Sequence, residues 1–256
     1  MAGYDPQKAY KLILDFHGRD GTPDGQHENS QYYKYPKASE YLVAYPLGKK
    51  GAEDKNAWQS APYAAPGVND LQFASDLVDH ISNNYCVDTG RIYASGKSNG
   101  GGFVDFLACS NVGDRFAAFA MAAPALYADN AQTACPMKLR KIIHAHGLED
   151  DTIPYDGGPS NGGQLPKIVD WLQWWANRGQ CISKQGPVQS NGYKSIVYTS
   201  CAGGVTNAIK HYGVDKGGHC WPDDKSDNTD GARSDCKDQS LDFTMMVLDF
   251  FNARSL

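Results

Sequence analysis

Ser98 stands at the centre of a Gly-x-Ser-x-Gly segment that spans 96–100 and is followed directly by two more glycines. A strand pattern, 91–95, precedes this segment, and a helical pattern, 98–109, continues from it. A serine in this setting lies on a sharp turn between strand and helix, where its hydroxyl is exposed as a nucleophile. We expect glycines at both ends of the turn because side chains there would collide with the neighbouring strand and helix. The alternative is a glycine-rich turn with an incidental serine.

A serine hydroxyl becomes a strong nucleophile only when a base removes its proton, so a histidine and an orienting carboxylate should follow. His219 is the predicted base, because the two glycines before it permit a tight loop after the strand predicted at 208–214. Asp150 is the predicted acid, since it follows the strand predicted at 141–146. Its neighbours Glu149 and Asp151 remain alternatives.

A serine mechanism also needs two backbone amides that stabilise the oxyanion. The first predicted donor is the N–H of Asn99, directly after the nucleophile. The second should come from the loop that follows the first core strand, 12–16. Arg19 is the preferred residue there, with Asp20 as the alternative.

No metal or other cofactor is expected. His144 and His146 share one face of a predicted strand, but no cysteine or carboxylate follows them at ligand spacing. The Asp-rich segment 222–238 suggests calcium, yet an EF-hand alignment puts Ser226 first and Lys237 last, which breaks the pattern. We interpret this segment as a solvated loop.

Strand and helix patterns alternate along the chain, which predicts a mainly parallel sheet covered on both faces. The chemistry is then expected at the carboxyl ends of the strands. A single domain, 1–256, is expected, because no linker divides the chain. Strands are predicted at 12–16, 41–45, 91–95, 116–123, 141–146, 194–200 and 208–214, and helices from 69 and over 98–109, 165–178 and 238–252.

Composition excludes several classes of protein. The 256 residues carry a formal charge of −5, from 24 Lys plus Arg against 29 Asp plus Glu, and 41% are hydrophobic. These values indicate a folded chain without the basic cluster that nucleic-acid binding requires. The longest nearly apolar run, 116–126, is far shorter than the ~20 residues of a membrane-spanning helix. No basic segment followed by an apolar stretch opens the sequence, so no signal peptide is expected within it.

Seven cysteines are scattered without a Cys-x-x-Cys pair, which disfavours zinc-ribbon and thioredoxin-type sites. This usage favours disulfides in a secreted protein over buried thiols in a cytosolic one. From their positions beside predicted elements, we expect the pairs Cys109–Cys135 and Cys181–Cys201. Three cysteines remain, so at least one is left without a partner: Cys86, Cys220 and Cys236.

The segment 85–103, Tyr-Cys-Val-Asp-Thr-Gly-Arg-Ile-Tyr-Ala-Ser-Gly-Lys-Ser-Asn-Gly-Gly-Gly-Phe, resembles fungal feruloyl esterases of carbohydrate esterase family 1. These are relatives of the polyhydroxybutyrate-depolymerase-like esterases. Matching segments occur in the same order at 16–22, 61–67, 146–155 and 217–222. The resemblance implies the α/β-hydrolase fold and Ser-Asp-His chain order.

The resemblance also implies a secreted enzyme that hydrolyses feruloyl esters of plant cell-wall arabinoxylan, with feruloylated xylan as its partner and no nucleic acid or membrane. Trp221 and Tyr155 are expected to contact substrate, and a monomer is expected. Members of the family carry an N-terminal stretch, often with a cysteine, which would explain one free thiol here. The alternatives are an acetylxylan or short-chain esterase, and a carbohydrate-binding protein built on an inactive hydrolase.

Overall fold

The computed structural model describes residues 4–127, 135–237 and 239–256. Eight strands of these residues form one large sheet. In chain order its strands are β1 (Tyr10–Phe16), β2 (Tyr41–Ala44), β5 (Val87–Lys97), β6 (Ala118–Ala122), β7 (Ile142–Gly147), β10 (Ser183–Ser190), β11 (Tyr193–Ser200) and β12 (Ile209–Val214). Two short hairpins lie outside this sheet, β3 (Lys49–Lys50) with β4 (Asn56–Ala57) and β8 (Gly158–Ser160) with β9 (Gly163–Leu165).

The spatial order of the large sheet is β10-β11-β12-β7-β6-β5-β1-β2. The strands from β12 to β2 pair in parallel, while β11 pairs with both β12 and β10 in antiparallel fashion. The predicted mainly parallel sheet is therefore confirmed. Because parallel strands end at one edge, the loops after β1, β5, β7 and β12 meet there.

Helices cover both faces of the sheet: α1 (Pro23–Ser30), α2 (Asp70–Asn84), α3 (Asn99–Ala108), α4 (Ile168–Arg178) and α5 (Phe243–Asn252). Leu12 and Leu14 of β1 lie in one buried cluster with apolar residues of α2, α3 and α4, whereas Ile13 lies in a second cluster with α5. This alternation along β1 follows from the two-residue period of a strand. Among the described residues, no helix has both the length and the apolar character needed to cross a bilayer.

The predicted elements have their counterparts in the structure, with shifted ends. Asn69 caps α2, its side chain accepting a hydrogen bond from the Gln72 N–H at 3.0 Å. The helix predicted from 165 begins at Ile168, because 163–165 forms β9. The helix predicted from 238 begins at Phe243 after an Asp242 cap, and residue 238 lies outside the described residues. The sequence patterns did not indicate α1, β10 and the two short hairpins.

Three disulfides join six of the seven cysteines. The predicted pairs Cys109–Cys135 and Cys181–Cys201 are confirmed. Of the three remaining cysteines, Cys220 and Cys236 form the third disulfide and Cys86 is the free thiol, which confirms the expectation of one unpaired cysteine in this set. The third disulfide begins one residue after His219, so it restrains the loop that carries this histidine.

Candidate active site

Ser98 occupies the sharp turn predicted between β5 and α3. Its backbone has φ 55° and ψ −122°, a region that costs a non-glycine residue about 1–3 kcal/mol. A Cβ on Gly96 would lie 2.9 Å from the Phe16 carbonyl oxygen, and a Cβ on Gly100 would overlap that same oxygen. Both glycines are therefore required by the close approach of the turn to the end of β1, as expected from the sequence.

A continuous line of hydrogen bonds joins three side chains at the carboxyl edge of the sheet. The Ser98 hydroxyl lies 2.8 Å from His219 Nε2, and His219 Nδ1 lies 2.8 Å from Asp150 Oδ2. Since a carboxylate only accepts, Nδ1 carries the proton, and Nε2 is left to accept from the serine. The three residues follow β5, β7 and β12, so the strand order itself brings them together.

The carboxylate of Asp150 is fixed by its own loop. Its Oδ1 accepts hydrogen bonds from the backbone N–H groups of Thr152 at 2.9 Å and Ile153 at 2.8 Å, which leaves Oδ2 for the histidine. Asp150 is buried, whereas the alternatives Glu149 and Asp151 are exposed. The structure thus places Asp150 against His219 and directs both neighbours to solvent.

His146 contributes a second imidazole to this carboxylate. Its Nε2 lies 2.7 Å from the Ile153 carbonyl oxygen and 3.3 Å from Asp150 Oδ2. A carbonyl oxygen only accepts, so Nε2 carries a proton that is shared between these two acceptors. His146 was considered above only as a metal ligand, and the sequence signal for its role here is its position four residues before Asp150.

The surroundings hold Asp150 charged and His219 neutral. Burial alone would raise the pKa of Asp150, but hydrogen bonds from His146 and His219 outweigh this effect and hold it well below its ordinary value. Burial lowers the pKa of His219; the hydrogen bond to Asp150 opposes this shift, and the positive charge of Lys97 adds to it. A neutral imidazole beside a fixed carboxylate is the state that a general base requires.

Two backbone amides are candidates for an oxyanion hole beside Ser98. The Asn99 N–H opens α3, where the first amides of a helix have no acceptor within it. A Cβ on Gly18 would lie 3.2 Å from the Ser98 Cβ, so the loop with Arg19 runs directly beside the serine. The alternative Asp20 donates its N–H to the Asn56 carbonyl at 2.8 Å, which makes Arg19 the better candidate.

His17 holds the loop that carries Arg19. Its Nδ1 lies 2.6 Å from the Gly18 carbonyl oxygen, and its Nε2 accepts from the Gly48 N–H at 2.9 Å. Both contacts need a neutral ring with the proton on Nδ1. Burial lowers the pKa of His17, which favours this neutral ring. Because the Gly18 carbonyl and the Arg19 N–H belong to one peptide group, His17 fixes the direction of this amide. The sequence alone did not indicate that His17 fixes this amide, although the His-Gly pair beside a strand end is the signal for it.

Of the two expected substrate contacts, that of Trp221 is contradicted because its side chain is buried, whereas that of Tyr155 stays a prediction. The Trp221 side chain is 1% exposed and donates its indole N–H to Thr244 at 2.9 Å, inside the cluster beneath α5. The Tyr155 hydroxyl lies 2.8 Å from His211 Nε2. Tyr155 lines a cavity of about 250 Å³ whose lining does not include Ser98. The position of Trp221 two residues after His219 did not reveal that its ring is buried.

The residues considered for metal binding have protein partners. His144 Nδ1 lies 2.8 Å from His211 Nδ1. The Asp-rich segment is not the solvated loop expected from the sequence, because Asp223 and Asp230 are buried. Asp223 accepts from the N–H groups of Lys225 and Asp227 at 3.2 and 2.9 Å. The one group of three possible ligand residues found in the described ranges is Cys220, Asp235 and Cys236, and its two cysteines are joined as a disulfide.

The overall architecture matches solved esterase structures. An acetyl xylan esterase from Aspergillus awamori superposes with a TM-score of 0.62 over 97% of this chain and 91% of that one, at 12% identity. A family model described as the prolyl oligopeptidase family matches residues 28–140. The chain has the α/β-hydrolase fold.

Curated relatives of this chain confirm the resemblance stated from its motifs. A bifunctional acetylxylan esterase/xylanase of Neocallimastix patriciarum is 33% identical over 146 residues, which cover 56% of this chain and 20% of the relative. Feruloyl esterase B of Piromyces equi is 28% identical over 232 residues, which cover 88% of this chain and 42% of the relative. The chain therefore spans less than half the length of either relative.

Proposed function

We propose that this α/β-hydrolase is a serine carboxylesterase that hydrolyses feruloyl and related hydroxycinnamoyl esters of plant cell-wall arabinoxylan. The observation that carries the proposal is the line of 2.8 Å hydrogen bonds from Ser98 through His219 to Asp150, built on a strained turn. The choice of a feruloyl ester is supported by the motifs shared with feruloyl esterases and by the relative from Piromyces equi.

In this proposal the reaction passes through an acyl-enzyme. His219 Nε2 takes the Ser98 proton as the hydroxyl oxygen attacks the ester carbonyl, and Asp150 stabilises the imidazolium that forms. The N–H groups of Asn99 and Arg19 donate to the oxyanion, where loss of one such donor typically costs ~10²–10³ in rate. His219 then gives its proton to the departing sugar alcohol. A water molecule activated by the same imidazole releases the acid and restores the serine.

The rival within the same chemistry is an acetylxylan esterase. It is favoured by the relative from Neocallimastix patriciarum, whose name includes that activity. Side-by-side measurement of kcat/KM on methyl ferulate and on 4-nitrophenyl acetate separates the two. Our proposal expects the larger value on methyl ferulate once the intrinsic reactivity of each ester, taken from its rate of hydrolysis in alkali, is divided out. A larger corrected value on the acetate would favour the rival.

The rival from another class is a carbohydrate-binding protein without activity. It gives no reason for a strained backbone at Ser98 or for a neutral His219 aligned on it. Titration with a serine-reactive nitrophenyl phosphonate decides between them. An active esterase releases one nitrophenolate per chain, whereas an inactive one releases none.

We further propose that the protein acts outside the cell, as a monomer and without a cofactor. Three disulfides support an oxidising compartment. Activity that persists in a metal chelator, together with the monomer mass in light scattering, is the expected result.

A further inference from the structure

A buried ion pair lies directly behind the turn that carries Ser98. Lys97 Nζ is 2.8 Å from Asp230 Oδ1, and the two side chains are 11% and 9% exposed. Among the ion pairs of lysine or arginine in the described ranges, this is the only one in which both partners are this well buried. Lys97 is the residue directly before Ser98, so its position is tied to that of the nucleophile.

The carboxylate of Asp230 joins this lysine to the histidine loop. Its Oδ2 accepts from the backbone N–H of Trp221 at 2.7 Å, two residues after His219. The same oxygen accepts from Asn29 Nδ2 of α1 at 3.0 Å, and the Asp230 N–H returns a bond to Asn29 Oδ1 at 3.1 Å. One carboxylate thus connects the nucleophile turn, the histidine loop and α1.

Stability alone does not account for such a pair. Moving two charges out of water is energetically costly, so a buried pair is often no more stabilising than two apolar side chains of the same size. The distance between catalytic groups has a large effect on the reaction rate, because a displacement of about 1 Å can lower the rate about 10²-fold. The pair sits where it can hold that distance, since Lys97 directly precedes Ser98 and Asp230 binds the backbone N–H two residues after His219.

We propose that Lys97 and Asp230 are positioning residues that hold Ser98 and His219 at hydrogen-bonding distance. They fix the turn and the histidine loop in place, and they affect the reaction through the positions of Ser98 and His219. This inference rests on the proposed esterase function, and it goes beyond it by assigning a role to the residue directly before the serine, which the Gly-x-Ser-x-Gly motif leaves open.

The test measures kcat and KM on methyl ferulate for Lys97→Met, Asp230→Asn and the double variant. We expect kcat at its pH plateau to fall about 10- to 100-fold in each single variant, with KM changed less than twofold. The double variant should be no slower than the slower single variant, because both changes remove the same link. Circular dichroism and thermal unfolding establish the folded fraction of each protein.

A matched control is an ion pair of which one partner, Asp227, lies three residues before Asp230. Lys34 and Asp227 form an ion pair of 2.9 Å, but their side chains are 33% and 49% exposed. Lys34→Met and Asp227→Asn should leave kcat within twofold of the parent. If either single variant of the buried pair does not fold, the double variant, which leaves no unpaired buried charge, carries the test.

The pH profile separates positioning from a purely electrostatic effect. Asp150, His146 and Asp235 also face His219, and none of them changes in these variants. If kcat at the pH plateau of the variants equals that of the parent, and only the acidic limb of their pH profile moves, the positioning role is overturned. Plateau rates within twofold of the parent in all three variants would likewise overturn it. A parent chain without ester hydrolysis would instead refute the proposed function.

Discussion

His146 and Asp150 face each other across one short loop, with His146 Nε2 3.3 Å from the same oxygen that contacts His219. The carboxylate therefore lies between two imidazoles and also accepts two backbone N–H groups. These contacts explain why Asp150 stays charged although it is buried. A fixed negative charge at this point orients His219 for proton transfer.

Ser98→Ala should abolish ester hydrolysis and leave the fold intact. Ser98 is only partly buried and its hydroxyl contacts His219, so few packing contacts are lost. The measurement is the rate on methyl ferulate, with thermal unfolding as the check on folding. His219→Ala should behave in the same way. More than a trace of activity in Ser98→Ala would mean that another residue is the nucleophile.

Asp150→Asn should give a folded protein whose rate is lowered by roughly 10⁴, because the amide no longer fixes the protonated Nδ1 of His219. Steady-state kinetics on methyl ferulate measure the loss. Glu149→Gln and Asp151→Asn are the matched controls, since both side chains are exposed. A larger loss in either control would reassign the acid.

In the pH profile of kcat/KM, the midpoint of the acidic limb should lie below the ordinary histidine pKa of about 6.5. His219 acts as a base only when neutral, so activity is full above its pKa and falls as the pH drops through it. Because burial lowers that pKa, the fall is displaced to lower pH. A profile from pH 4 to 8 at fixed ionic strength tests this. A limb above 6.5 would contradict the described surroundings of His219.

Removal of the disulfide Cys220–Cys236 should lower turnover more than it lowers global stability, because this bridge restrains the loop with His219. Cys220→Ser with Cys236→Ser is the test, and Cys181→Ser with Cys201→Ser is the control, since that bridge lies next to the strands β10 and β11. Kinetics and chemical denaturation are compared for both variants. Equal losses of turnover in the two would refute a specific role for the first bridge.

Thiol counting under denaturing conditions should find one free thiol per chain. Cys86 is the residue without a disulfide partner in the structure. Alkylation without reduction, followed by peptide mapping, should label only the peptide that contains it. A count of zero would show that this cysteine is capped or paired with another molecule.

Local sequence patterns were sufficient for seven of the eight strands in the large sheet, the turn at Ser98 and the Asn69 cap, because each depends on neighbours along the chain. They failed for α1, whose buried residues Gln26 and Asn29 are polar and are held by hydrogen bonds to Asp15 and Asp230. Such a helix lacks the apolar stripe by which a sequence pattern indicates a helix.

Contacts between distant residues that belong to no recognised motif were also outside the reach of the sequence. Lys97 and Asp230 are 133 positions apart, and neither stands in a pattern that indicates a partner. Trp221 was expected to contact substrate because it adjoins His219, but burial beneath α5 depends on packing that no local pattern records. Side-chain direction in loops follows from the assembled fold.

The most direct test of the esterase proposal is titration with a nitrophenyl phosphonate followed by peptide mass spectrometry. We expect one nitrophenolate released per chain, the phosphonyl group on the peptide that contains Ser98, and loss of methyl ferulate hydrolysis in proportion to labelling. Ser98→Ala should release none. Hydrolysis of methyl ferulate that survives complete labelling of Ser98, or a phosphonyl group found on another residue, would contradict the assignment.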